Sequence, residues 1–167
     1  MPVPEQRDLE QTRGILAAWF ATKIPGATDV TVGPIGGPGS TGFSNETLIF
    51  DASWNSDATS HREGLVVRPE PVNHTVFMES DFESQYRVLR ALAEHTDVPV
   101  PPIKWWEPDP SILGSRFFVM GKVDGVVPSD APPYTMEGWL LEDTAPEQRR
   151  RLVESGIEAL AAIHAVD

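Results

Sequence analysis

The sequence contains no cysteine, which removes disulfides, thiol nucleophiles and thiolate-held metals from consideration. It also lacks long apolar runs. None approaches the roughly 18 residues of a membrane span, and the first ten residues are polar where a secretory leader would carry an apolar core. Positive charge is scarce: 13 Lys and Arg stand against 25 Asp and Glu, a formal net charge of -12. That balance argues against nucleic acid or an anionic membrane as the main partner. No Gly-x-Ser-x-Gly nucleophile elbow occurs. The four histidines, His61, His74, His95 and His164, show no metal-ligand spacing. A cytoplasmic protein is the expectation.

What is present has the make-up of a packed domain. The 167 residues suffice for one domain, or for a domain with part of a second, and a hydrophobic share of 40% supplies a core. Residues 8–23 read as a helix, with Leu9, Leu16 and Phe20 on one face and Pro25-Gly26 at its end. Residues 30–32 and 47–50 read as strands around a glycine-rich turn at 36–45. Residues 53–63 are polar and read as a long hairpin loop, before a strand at 65–68 stopped by Pro69. Residues 82–95 form an amphipathic pattern. Phe82, Gln85, Tyr86, Leu89 and Leu92 share one face, and Glu83 is spaced to pair with Arg87 on the other. Strands are expected at 103–106 and 116–120, an irregular stretch at 124–143, and a long helix at 146–166. Hairpin-joined strands with one intervening helix predict an α+β fold built on an antiparallel sheet.

Three segments could carry chemistry. Glycines between two strands let backbone N–H groups approach a phosphate, although the same turn is equally an ordinary hairpin. No Gly-Lys-Ser/Thr follows, so it is not a Walker loop. Arg68 ends an apolar strand where a kinase-type fold places its phosphate cation, or it is a strand-end arginine reaching for solvent. Residues 119–125 run from an apolar strand into a glycine-bounded connector. In kinase folds that connector reads the edge of adenine; elsewhere it is a strand exit. Trp105-Trp106 fits either a stacking platform or a pair divided between core and surface.

These segments occur in kinase order, and at this point the chain resembles the aminoglycoside phosphotransferase family of kinase-like small-molecule phosphotransferases. The resemblance rests on Gly42-Phe43-Ser44-Asn45-Glu46-Thr47, Leu65-Val66-Val67-Arg68-Pro69, Tyr86-Arg87-Val88-Leu89-Arg90-Ala91-Leu92, Val98-Pro99-Val100-Pro101 and Phe117-Phe118-Val119-Met120. It extends to the tail Leu160-Ala161-Ala162-Ile163-His164. It implies a protein-kinase-like N-terminal lobe: a five-stranded antiparallel sheet, one crossing helix, an added N-terminal helix and the first helix of a C-terminal lobe. The implied boundaries are 1–123 for the ATP-binding lobe, 124–145 for a linker and 146–167 for that first helix.

The resemblance also implies roles. Gly42, Phe43, Ser44 and Asn45 would form the tip of the loop over the ATP or GTP phosphates. Arg68 would meet the α- and β-phosphates, with Gln85 orienting it. Met120 would back the adenine pocket, and Gly121 C=O and Val123 N–H would be the hinge contacts. The family needs a His-Gly-Asp-like loop with a following Asn, and an Asp for magnesium. No histidine here is followed by Gly-Asp, so no catalytic or metal residue is assigned to this chain, and the chain is expected to be part of a longer protein. The expected activity of that protein is transfer of the ATP γ-phosphoryl to a hydroxyl of a small molecule. The alternative is a degenerate, non-catalytic nucleotide-binding or scaffolding module, which the neutral Gln85 favours. The final helix carries two adjacent apolar faces, with Leu152 and Ile163 on one and Val153, Ile157 and Leu160 on the other. That width predicts a homodimer through this helix.

Overall fold

The computed structural model describes residues 7–37, 46–71, 81–129 and 132–166. Gly42, Phe43, Ser44 and Asn45 lie outside the described residues.

The first helix, α1 (Leu9–Lys23), starts where Asp8 accepts from the N–H groups of Glu10 and Gln11, which satisfies two donors that the helix itself cannot. It ends at Ile24 and turns through Gly26, whose φ of 70° is open to glycine at little cost. Strands β1 (Thr28–Val32), β2 (Leu48–Ser56) and β3 (Thr59–Pro69) form a meander. Helix α2 (Phe82–His95) follows, capped by Asp81, and then β4 (Ile103–Glu107) and β5 (Phe117–Gly121). The sheet order is β1-β2-β3-β5-β4, antiparallel throughout. A short helix α3 (Trp139–Glu142) precedes α4 (Pro146–His164). The fold is thus a five-stranded antiparallel sheet with helices, resembling a kinase-like N-terminal lobe.

Period-two alternation divides the sheet into two faces. Leu48, Phe50, Ala52, Leu65, Val67, Phe117 and Val119 point to one side and close over Leu16, Trp19 and Phe20 of α1. Trp19 meets Phe117 edge-on, with ring centroids 5.0 Å apart, and Phe20 meets Phe50 at 6.0 Å. Covering each such side chain contributes about 1.5–3 kcal/mol, so α1 is an integral layer of the lobe. The opposite face carries α2, through Phe82 and Tyr86 against Trp106 and Phe118. Trp105 and Trp106 therefore pack on opposite faces, against α1 and α2 respectively, and do not make a stacking platform.

Two expectations are corrected. Residues 53–63 are not a long loop: β2 and β3 pair without interruption from Leu48↔Val67 to Ser56↔Thr59, leaving only Asp57 and Ala58 unpaired at the turn. The polar residues there occupy strand positions at a solvated sheet end. Gln85 does not share a buried face with Leu89 and Leu92; it is exposed, and of α2 only Phe82 is fully buried. The helix meets the sheet through Phe82 and Tyr86, with Leu89 and Leu92 partly buried beyond them, and Gln85 lies outside this stripe. The pairing of Glu83 with Arg87 is as expected.

Candidate functional site

The face opposite α1 also carries the candidate site. In register, Ile49 pairs with Val66 and Val66 with Met120, so three apolar side chains form one row across the central strands. Val66 is 8% exposed yet lies outside the core cluster, whereas its neighbours Leu65 and Val67 belong to it. This row makes an apolar strip across β2, β3 and β5. One step along the strands, Arg68 pairs in register with Phe118 on the same face. Arg68 is half-buried, and burial pushes its pKa below the ordinary arginine value. A cation so placed gains more from an anionic ligand than a fully hydrated one does.

Met120 leads directly into the connector. Gly121 is buried and donates its N–H to Pro102 C=O at 2.8 Å, and Lys122 N–H donates to Gly64 C=O at 2.9 Å. Sheet pairing therefore continues through Lys122, and the chain leaves it at Val123, which is 67% exposed. A side chain at Gly64 would make Lys122 give way by a few tenths of an ångström. A Cβ there would lie 3.1 Å from Cβ and Cδ of Lys122, whose stem crosses over it.

At its outer end the row meets the start of the glycine-rich segment, of which Gly36 and Gly37 are described. Gly36 and Ile49 exchange two backbone hydrogen bonds of 2.8 Å. Beneath it runs a groove of about 530 Å³ lined by Gly36, Gly37, Ile49, Asp51, Arg62 and Lys122 among others. That size suits a small-molecule ligand. Asp51 accepts from Arg62 at 2.7 Å, and this hydrogen bond holds its carboxyl below the ordinary value. Lys122 pairs with Asp124 at 3.0 Å.

The structure thus brings Arg68 and Met120 to one face of the two interior strands β3 and β5, puts Gly121 and Val123 where the chain leaves β5, and leaves Gln85 exposed on α2. Sequence reading missed Ile49, Asp51, Val66 and Lys122. Alternation along 48–56 was the available signal for Ile49 and Asp51, hidden because the strand was expected to stop at Phe50. Among the described residues no cluster of three His, Asp or Glu could hold a metal ion, and no helix is long and apolar enough to cross a membrane.

The fold resembles that of known proteins. A crystal structure from Ralstonia eutropha JMP134, described as a "putative aminoglycoside phosphotransferase", superposes with a TM-score of 0.56 and 26% identity, over 92% of this chain and 38% of that one. "Probable acyl-CoA dehydrogenase IBR3" of Arabidopsis thaliana is 29% identical over 126 residues, which are 75% of this chain and 14% of the plant protein. The chain thus spans much less than half the length of either relative. The model of the phosphotransferase enzyme family matches residues 58–167, from the β2–β3 turn to the last residue. With most of its length matched, the chain belongs to the phosphotransferase enzyme family.

Proposed function

We propose that this chain is the nucleotide-binding part of a phosphotransferase that moves the γ-phosphoryl of ATP, or of GTP, to a hydroxyl of a small molecule. The observation that carries this reading is the Ile49–Val66–Met120 row on the sheet face that also bears Arg68, beside the Gly121–Val123 connector. The row would take the face of the purine. Gly121 C=O and Val123 N–H would meet its edge, and Arg68 would face the α- and β-phosphates. Residues 42–45 would close over those phosphates. The bound nucleotide supplies the transferred phosphoryl group; this chain's residues bind and orient it. No base and no magnesium ligand is assigned to the chain, so catalysis would need residues beyond the set named here. On the same reading, residues 1–123 are the nucleotide lobe, 124–145 a linker and 146–167 the first helix of a second lobe, in a cytoplasmic protein.

One relative is named as an acyl-CoA dehydrogenase, whereas the family is one of phosphotransferases. A hydroxyl-bearing acyl thioester is the substrate class on which both kinds of reaction can act, and we assign it as the acceptor class. A second reading, a degenerate nucleotide-binding module without catalysis, rests in the sequence on the neutral Gln85, but that side chain is exposed on α2 and lends the reading no support.

The test is a methyl-resolved NMR titration of this chain with ATP and with adenosine. Two hinge hydrogen bonds contribute about 1 kcal/mol each and an arginine–phosphate contact about 1.5–3 kcal/mol. Loss of translational and rotational freedom costs at least about 4 kcal/mol. Even with one face of the purine buried on the apolar row, which adds a few kcal/mol at about 25 cal/mol per Å², a dissociation constant of about 1 mM or weaker is expected, with shifts at Ile49, Val66 and Met120. Shifts confined to other residues, or none, would overturn the reading.

A further inference from the structure

Arg116 lies one residue before β5, and no role in the nucleotide site has been given to it. Its Nε and Nη2 donate to the two carboxylate oxygens of Glu70, at 2.7 and 2.5 Å, and Glu70 N–H donates to Arg116 C=O at 2.8 Å. Glu70 follows Pro69, the last residue of β3, so the fork joins the exit of β3 to the entry of β5. Bidentate geometry makes this a directional tie rather than a diffuse attraction. The guanidinium also lies 5.9 Å from the Trp106 ring centroid, and its Nη1 is 3.9 Å from a carboxylate oxygen of Glu83 in the first turn of α2. One half-buried side chain thus touches β3, β4 and α2.

Pairing places this cluster beside Arg68. Arg68 faces Phe118 and Pro69 faces Phe117, so Glu70 and Arg116 continue the same ladder one step on. By alternation Arg68 and Glu70 share a face, as do Arg116 and Phe118. α2 itself rests on this face mainly through Phe82 and Tyr86, against Phe118 and Trp106. Its remaining named ion pairs, Glu83–Arg87 and Arg90–Glu94, stay within the helix and cannot orient it on the sheet. Among the described residues, Glu70 and Glu83 are the carboxylates that Arg116 contacts, and Asp81 acts on it electrostatically.

We propose that Arg116 is a positioning residue for the phosphate end of the nucleotide site: it clamps the β3 exit and the first turn of α2 together and so fixes the place of Arg68. This inference rests on the proposed nucleotide reading for its ligand, but the clamp itself is a property of the lobe.

The experiment uses this chain with the substitutions Arg116→Gln, Arg116→Lys, Glu83→Gln and Arg87→Gln. Two quantities are read: hydrogen exchange of the α2 amides, and dissociation constants for ATP and for adenosine by NMR. Arg116→Gln should speed exchange in the first two turns of α2 by about 10-fold. It should weaken ATP by about 5-fold while leaving adenosine unchanged. Arg116→Lys should fall between, because an ammonium cannot fork. Glu83→Gln should reproduce part of the exchange effect. Arg87→Gln should not, since Arg87 holds Glu83 only on the helix's own surface. If Arg116→Gln does not fold, Arg116→Lys decides on the same two readouts. Unchanged α2 exchange, or equal weakening of ATP and adenosine, would overturn the proposal. Absence of nucleotide binding by the unsubstituted chain would instead sink the nucleotide reading, and α2 exchange would still decide the clamp.

Discussion

At the residue scale, Arg68 and Met120 share the sheet face opposite α1, and Glu107 of β4 lies buried against α1. Arg68 and Met120 could be named from sequence because each ends or borders an apolar run, and strand alternation sends both to one face. Gln85 stands outside the expected face because helical phase gives the direction of a stripe and not its width: Tyr86, Leu89 and Leu92 are partly buried while Gln85, at the margin, is exposed. Glu107 could not be read at all: nothing in Trp-Trp-Glu-Pro marks the carboxylate as interior. It is buried, accepts from Trp19 Nε1 at 2.7 Å and from Asp109 N–H at 3.0 Å, and pairs with Lys23 at 3.1 Å, tying α1 to β4. Burial pushes this carboxyl up, but the hydrogen bonds from Trp19, Asp109 and Lys23 outweigh burial and hold it below the ordinary value. The unfolded chain therefore takes up this proton at higher pH than the folded one. Its contribution to stability is complete above the ordinary value of 4.5 and is lost as pH falls through the lower, folded value. Thermal midpoints should drop as pH falls below about 4.5, and Glu107→Gln should flatten that dependence. Parallel curves for the two proteins would assign acid sensitivity elsewhere.

At the element scale, helices and apolar strands were readable and the polar hairpin was not. α1, α2 and β5 lie within about two residues of their expected bounds, as normal fraying allows. The β2–β3 hairpin was hidden because its tip has neither the Asn-Gly nor the Asp-Gly that usually marks a tight turn. Here Asp57 and Ala58 take φ values of 49° and 59°, the left-handed pair of a two-residue type I′ turn. A left-handed alanine costs about 1–2 kcal/mol, partly offset in the glycine variant by the entropy glycine loses on folding. Ala58→Gly should therefore stabilise the lobe by about 0.5–1 kcal/mol. That is a rise in thermal midpoint of about 1–4 °C for a protein of this size. A fall would show that the turn does not carry the strain its angles imply.

At the scale of the whole molecule, the lobe and the last helix differ in kind. The sheet with α1 has a closed core, whereas α4 has no buried residue at all. Ile157 is 62% exposed and Leu160 52%, and Leu152, Val153 and Ile163 are exposed beside them. The wide stripe was legible in sequence; which surface covers it was not, because periodicity reports that a face is apolar and not what meets it. Near its end, Ala162 and Val166 line a groove with Leu92 and Val98, so α4 does approach the lobe there. The rest of the stripe stands open, and covering each Leu or Ile would contribute about 1.5–3 kcal/mol. An apolar stripe of this kind is sticky at high concentration. We therefore expect light scattering to report rising mass with concentration. The double substitution Val153→Glu, Ile157→Glu should abolish that rise. Because neither side chain covers anything within the lobe, the same substitution should leave the thermal midpoint of the lobe unchanged. A chain that stays monomeric at every concentration, with α4 amides protected from exchange, would show that the helix is stable with its stripe in water and that this face drives no association.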